Sequence, residues 1–169
     1  KMDILTCVAT EENCTDVVSE LMAYVSDMNG DVSRLAITAM GQIALRLDGA
    51  AKEALAHFLD LLEMDVQHIR GQTLVVMKDF LRKYVDIEFV RPFLDTIVKS
   101  YQDMAFEDDE SRVAFAWVLG EFGEHIEDSP YLLLAMVSSF NTESYGLRIE
   151  LLTSCMKLFF KRPPEMQPV

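Results

Sequence analysis

Four segments of this chain repeat one design at intervals of about 34–44 residues: DVSRLAITAMGQIAL (31–45), DVQHIRGQTLVVMKDFL (65–81), DESRVAFAWVLGEFG (109–123) and YGLRIELLTSCMKLFF (145–160). Each sets a polar or small turn residue ahead of apolar residues spaced at three and four, the period of one helix face. Three share an Arg followed by an apolar residue: Arg34-Leu35, Arg112-Val113 and Arg148-Ile149. The interval is that of helix-pair solenoids. A single pair cannot bury its own apolar face, so pairs must stack on their neighbours. Residues 1–169 are thus expected to be all-α, one α-solenoid of stacked antiparallel helix pairs (HEAT/armadillo-like), about four pairs in number.

The helix boundaries follow from capping and breaking residues. Asn13 or Thr15 opens a helix with Val17, Val18, Leu21, Met22 and Val25 on one face, and Asn29-Gly30 stops it. The next begins near Asp31, carries Leu35, Ala39, Met40, Ile43 and Leu47, and ends at Asp48-Gly49. A third spans about 50–63 with Leu55, Phe58, Leu59 and Leu62. A fourth runs from Asp65 to about Tyr84, aligning Val66, Ile69, Thr73, Val76, Met77 and Phe80. Residues 86–104 give another, with Pro92 early, where a missing N–H is tolerated. The acidic run Glu107-Asp108-Asp109-Glu110 suits the positive end of a helix reaching about Ile126. Asp128-Ser129-Pro130 caps 130–140, and a last helix over 144–161 is closed by Lys161-Arg162 and Pro163-Pro164. No stretch alternates with period two long enough to predict a strand.

The segment AFAWVLGEFGEHI (114–126) tests the stacking idea. A Gly inside a helix costs about 0.5–1 kcal/mol relative to Ala, yet Gly120 and Gly123 fall where this helix should be strongest. Val113, Ala116, Trp117, Gly120 and Gly123 form one stripe; Phe115, Val118, Leu119, Phe122 and Ile126 form a second. An apolar surface that wide belongs to an inner helix contacting several neighbours. Gly120 and Gly123 are expected to admit another backbone beside Trp117, which offsets their cost. The alternative is a helix broken at Gly123, leaving the stack intact.

Composition narrows the function. The formal charge of −13 opposes nucleic-acid binding, which relies on Lys and Arg against phosphate. It equally opposes direct contact with anionic lipid, or it serves solubility alone. The longest apolar runs, such as YLLLAMV (131–137), fall far short of the roughly 20 residues that span a bilayer, so a soluble segment is expected. It starts at Lys1, as a piece cut from a longer chain would. Cys7, Cys14 and Cys155 are odd in number, show no CxxC spacing and occupy helical apolar positions. Buried, reduced thiols in a cytosolic setting are the expectation.

A search for catalytic chemistry returns little. His57, His68 and His125 lie on different helices, without HExxH spacing or a Cys at zinc-ligand distance. A Cys155–His125 pair has nothing to bring it together. Glu121 and Glu124 are three apart and could serve acid–base chemistry, but read more simply as a solvated edge. No phosphate-binding glycine loop or nucleophile elbow occurs, and 107–110 lacks the interleaving of a calcium loop. No residue is assigned to catalysis, cofactor or metal binding.

The segments ILTCVATEEN (4–13), VVSELMAYVSD (17–27), VVMKDFLRKY (75–84), AWVLGEFGEHIEDSPYLL (116–133) and IELLTSCMKLFFKRPPE (149–165) resemble the trunk of β-adaptins, large subunits of heterotetrameric vesicle adaptor complexes. The most specific pieces are the W-apolar-apolar-G-E block at 117–121 and LLT…KLF…P at 151–163. The resemblance implies a curved α-solenoid, here the middle-to-C-terminal part of the trunk, serving as a scaffold and not an enzyme. It implies partnership with a second large chain, a medium chain and a small chain. In some classes a small GTPase and clathrin join, through parts outside this segment. The setting it implies is cytoplasmic, peripheral on Golgi, endosomal or coated-vesicle membranes, without insertion. SPYLL and GEHI lean toward the fourth adaptor complex, VVMKDFLRKY and GEF toward the first and second. Gly71, Gln72 and Gly123 depart from every class. Two rival readings stay open: an unrelated HEAT or armadillo scaffold, such as a transport receptor or phosphatase regulator, and a small helical enzyme using Cys or Glu.

Overall fold

The computed structural model describes residues 1–84, 87–100 and 108–166. It contains helices α1 (Met2–Val8), α2 (Cys14–Val25), α3 (Gly30–Arg46), α4 (Asp48–Glu63), α5 (Gln67–Lys83), α6 (Ile87–Ser100), α7 (Asp109–Phe122), α8 (Ser129–Val137), α9 (Tyr145–Lys161) and α10 (Pro163–Met166). A 3₁₀ turn at Phe140–Thr142 precedes α9, and no strand occurs among the described residues. The chain divides into two compact units, Lys1–Met104 and Ala105–Val169.

In the first unit α1, α2, α3 and α4 each pack on their successor and on the helix two further along. α1 meets α3, α3 meets α5, α2 meets α4 and α4 meets α6. That i, i+2 contact defines stacked pairs. In the second unit α7 packs on α8 and, more extensively, on α9. Each unit is all-α and built on the α-solenoid plan the repeats predict. The four aligned segments are α3, α5, α7 and α9, the inner helices. The core holds Ile37, Met40, Ile43, Phe58, Met77 and Phe80 in the first unit, with Phe115, Leu119, Leu151 and Leu158 in the second.

The caps explain most boundaries. Asn29 accepts from Asp31 N–H at the start of α3, and Asp108 accepts from Ser111 N–H at 2.8 Å ahead of α7. Of the two candidates for α2, Asn13 is the residue before it, but its side chain accepts from Thr10 N–H instead. Asp48 does not end α3. It opens α4, because a carboxylate in a first turn meets the positive helix end. Pro92 lies inside α6, which begins before it. Residues 101–104, the expected tail of that helix, and Glu107 lie outside the described residues.

Two expectations need correction. α7 stops at Phe122, and Gly123 caps it, so the helix does not run to Ile126. The end is nevertheless packed: a Cβ on Gly123 would meet Ser129 Oγ at 2.5 Å and Leu158 Cδ1 at 2.7 Å. The thiols also differ, since all three are free but only Cys14 is buried. Cys155 is half-buried, and burial pushes its thiol above the ordinary range. Cys7 is exposed, because α1 is short and buries none of its residues.

Candidate interaction surface

α9 carries apolar residues on two faces. One face packs inward: Leu147, Leu151, Ser154 and Leu158 are fully buried. There the α7 backbone comes so close that a Cβ on Gly120 would lie 2.6 Å from Ser154 Cα. The expected close approach at Gly120 is therefore observed. Trp117, 6% exposed, sits beside it with Lys157 Nζ 5.9 Å from its ring centroid. Residues 114–120 are buried without exception, as befits an inner helix.

The outward face of α9 presents Tyr145, Ile149, Leu152, Met156, Phe159 and Phe160 to solvent. Their first five positions step by four, three, four and three, which keeps one stripe in line along a helix. By contrast α5 exposes Gln67, Asp79, Arg82 and Lys83, an ordinary polar surface. At the C-terminal end of the stripe Cys155, Met156, Phe159, Phe160 and Met166 line a groove of about 390 Å³. An apolar groove of that kind accepts apolar side chains, and its lining holds no carboxylate, histidine or amine.

Groups considered for catalysis are spoken for by structure. Glu121 pairs with Lys157 and Glu124 with Lys161, both at 2.9 Å, so these carboxylates form an ion-paired edge between α7 and α9. The Lys161 hydrogen bond holds the Glu124 carboxyl below its usual range. His57 is half-buried on α4, His68 packs beside Gly30, and His125 is exposed with Nε2 3.6 Å from Glu124. Among the described residues no group of three or more His, Cys, Asp or Glu could hold a metal ion. No helix of the described residues is long and apolar enough to cross a membrane.

Of the residues that departed from the expected pattern, Gly71 is buried within α5 and Gln72 Nε2 donates to Thr38 Oγ1 at 3.1 Å, joining α5 to α3. The sequence reading missed Gly41, which lies in α3 directly beneath Val76 of α5. A glycine inside an apolar stripe, the signal used at Gly120, would have found it. It also missed the outward stripe of α9, although its spacing is legible.

Comparisons with known proteins agree with this architecture. The family model described as adaptin N terminal region matches residues 1–168. The chain is 30% identical over 167 residues to AP-1 complex subunit beta-1 of Homo sapiens, covering 99% of this chain and 17% of that protein. It is 33% identical over 168 residues to Beta-adaptin-like protein A of Arabidopsis thaliana, covering 99% and 20%. It is 30% identical over 171 residues to AP-4 complex subunit beta-1 of Mus musculus, covering 99% and 22%. The chain thus spans about a fifth of the length of these relatives. With the helix-pair stack, its inner glycine contacts and a family match along nearly every residue, the chain belongs to the adaptin family and is β-adaptin-like.

Proposed function

We propose that this chain is a scaffold segment, from the middle-to-C-terminal part of a β-adaptin trunk, within an adaptor complex of vesicle-mediated intracellular protein transport. The match to the adaptin N terminal region over residues 1–168 carries the reading. Its work is mechanical: stacked helix pairs hold partner subunits in fixed positions, and no cofactor or bond-making step is required. The partners are a medium chain, a small chain and a second large chain. A small GTPase and clathrin belong to parts outside residues 1–169. The setting is the cytoplasmic side of Golgi, endosomal or coated-vesicle membranes, reached through the complex without insertion. The acidic balance supports attachment through partners in preference to direct adhesion to anionic lipid.

Coexpression of the polypeptide bearing this segment with a medium subunit tests the proposal. The two are expected to copurify through gel filtration at physiological salt. Separation of the two would favour the unrelated HEAT or armadillo scaffold.

A further inference from the structure

In three places a cation at the end of an inner helix reaches carbonyls at or just past the end of the helix two before it in the chain. Arg46, in the last turn of α3, donates to Thr6 O and, at 2.8 Å, to Ala9 O, closing α1. Lys83, in the last turn of α5, donates to Leu45 O at 2.8 Å, closing α3. In the second unit Lys161 donates to Glu121 O, while Arg162 donates to Gly123 O at 3.2 Å, Ile126 O at 2.8 Å and Glu127 O at 3.2 Å. These bonds close α7 and the turn after it. Donor and acceptor stand 35 to 40 residues apart in every case, one repeat length.

The last four carbonyls of a helix lack intrahelical partners and carry the negative end of its dipole. Many helices meet this with a left-handed glycine that turns the chain back. Among the described residues no glycine has positive φ. Ala9 and Leu47, which follow α1 and α3, are extended and do not turn the chain back in that way. The cations occupy that place. Lys83 is itself held by Asp48 Oδ1 at 2.7 Å, a carboxylate that also accepts from Tyr84 Oη at 2.7 Å.

We propose that Arg46, Lys83 and the Lys161–Arg162 pair are inter-repeat latches that set the axial register of α3 against α1, of α5 against α3 and of α9 against α7. The Arg46 and Lys83 acceptors lie within a turn, and those of the Lys161–Arg162 pair run from Glu121 to Glu127 across the end of α7, so a slip by one turn, about 5.4 Å, would carry each cation off its carbonyls. The proposal stands independently of the adaptor reading.

Hydrogen–deuterium exchange of the whole chain, resolved by peptide, tests it. Arg162→Gln is expected to raise exchange about tenfold in residues 121–129, Lys83→Gln in 43–49 and Arg46→Gln in 5–10. The interior of the helix bearing the change should exchange as before. Lys83→Arg should restore protection, and Arg162→Lys should restore only part, since one ammonium cannot span three carbonyls. A rise confined to the altered helix's own end would overturn the proposal. So would a uniform rise along the chain, an absence of change, or upstream ends already unprotected in the parent. If a Gln variant does not fold, the graded response of Arg162→Lys decides.

Discussion

The α3–α5 seam of the first unit and the α7–α9 seam of the second share one backbone plan and differ in chemistry. Both bring two inner helices together at a glycine. At Gly41 the obstacle to a side chain is Val76 Cγ1, whereas at Gly120 it is the Ser154 backbone. Across the first seam Gln72 donates to Thr38 in a neutral hydrogen bond, and Lys83 reaches Leu45 O at its end. The second is bordered by Glu121–Lys157, Glu124–Lys161 and a two-pronged Arg112–Glu143 pair. Glu143 keeps only 7% of its side chain exposed and also accepts from Ser139 Oγ. One architecture therefore admits two kinds of seam: one whose glycine meets a side chain, the other whose glycine meets backbone and whose border carries three ion pairs.

The largest expected effect tests the glycines. Gly120→Ala should destabilise the second unit by about 3 kcal/mol, because a backbone cannot step aside as a side chain can. Gly41→Ala should cost about 1 kcal/mol, and Val76→Ala should remove the collision. Urea midpoints followed by Trp117 emission for the second unit, and by helix content for the chain, measure both. Equal costs at the two glycines would break the comparison.

Next in size is the ion pair. Glu143→Gln removes one charge from a bond in which the guanidinium is held by two oxygens, and should cost about 1–2 kcal/mol. Asp48→Asn in the first unit, where the carboxylate is largely solvated, should leave the midpoint in place. A double-mutant cycle with Arg112→Gln isolates the coupling.

Acid should weaken the second seam more than the first, where the Asp48 carboxyl is also lowered by Lys83 but is largely solvated. The Arg112 guanidinium holds the Glu143 carboxyl below its ordinary 4.5, with help from Ser139, and Lys161 does the same for Glu124. A carboxyl lowered in the folded state contributes stability that is fully present above its unfolded value and lost as pH falls through the folded one. The second unit should thus hold constant stability above about pH 5 and weaken below about 4.5. Trp117, the sole tryptophan, reports that change directly. Glu143→Gln should flatten the profile.

What was legible in the sequence was what is local. Apolar spacing at three and four places α3, α5, α7 and α9 because a helix face is a property of neighbouring residues. Gly120 was legible because its cost demanded a packing reason. The end of α7 was misjudged because the apolar pattern runs on through Ile126, which is buried although outside the helix. What takes the carbonyls of that turn is Arg162, far along the chain. Asp48 likewise reads as a stop until Lys83 and Tyr84 are seen to hold it. Cys7 was placed inside from its helical apolar position, and the shallow burial of α1 decided otherwise. The outer stripe of α9 was overlooked for a different reason: apolar spacing marks a face as greasy without saying whether anything lies against it.

That last distinction gives the smallest expected effect. Leu151 and Leu152 are adjacent in sequence and identical in chemistry, but Leu151 is 0% exposed and Leu152 58%. Leu151→Ala should cost about 2–4 kcal/mol through lost burial and the cavity left behind. Leu152→Ala should move stability by no more than about 0.5 kcal/mol, since its side chain loses little contact. The same holds for Phe160→Ser, at 77% exposure. If Leu152→Ala instead matched Leu151→Ala, and its midpoint rose with protein concentration, two copies would be covering α9 in solution. The second unit would then differ from the first in assembly as well as in the chemistry of its seam.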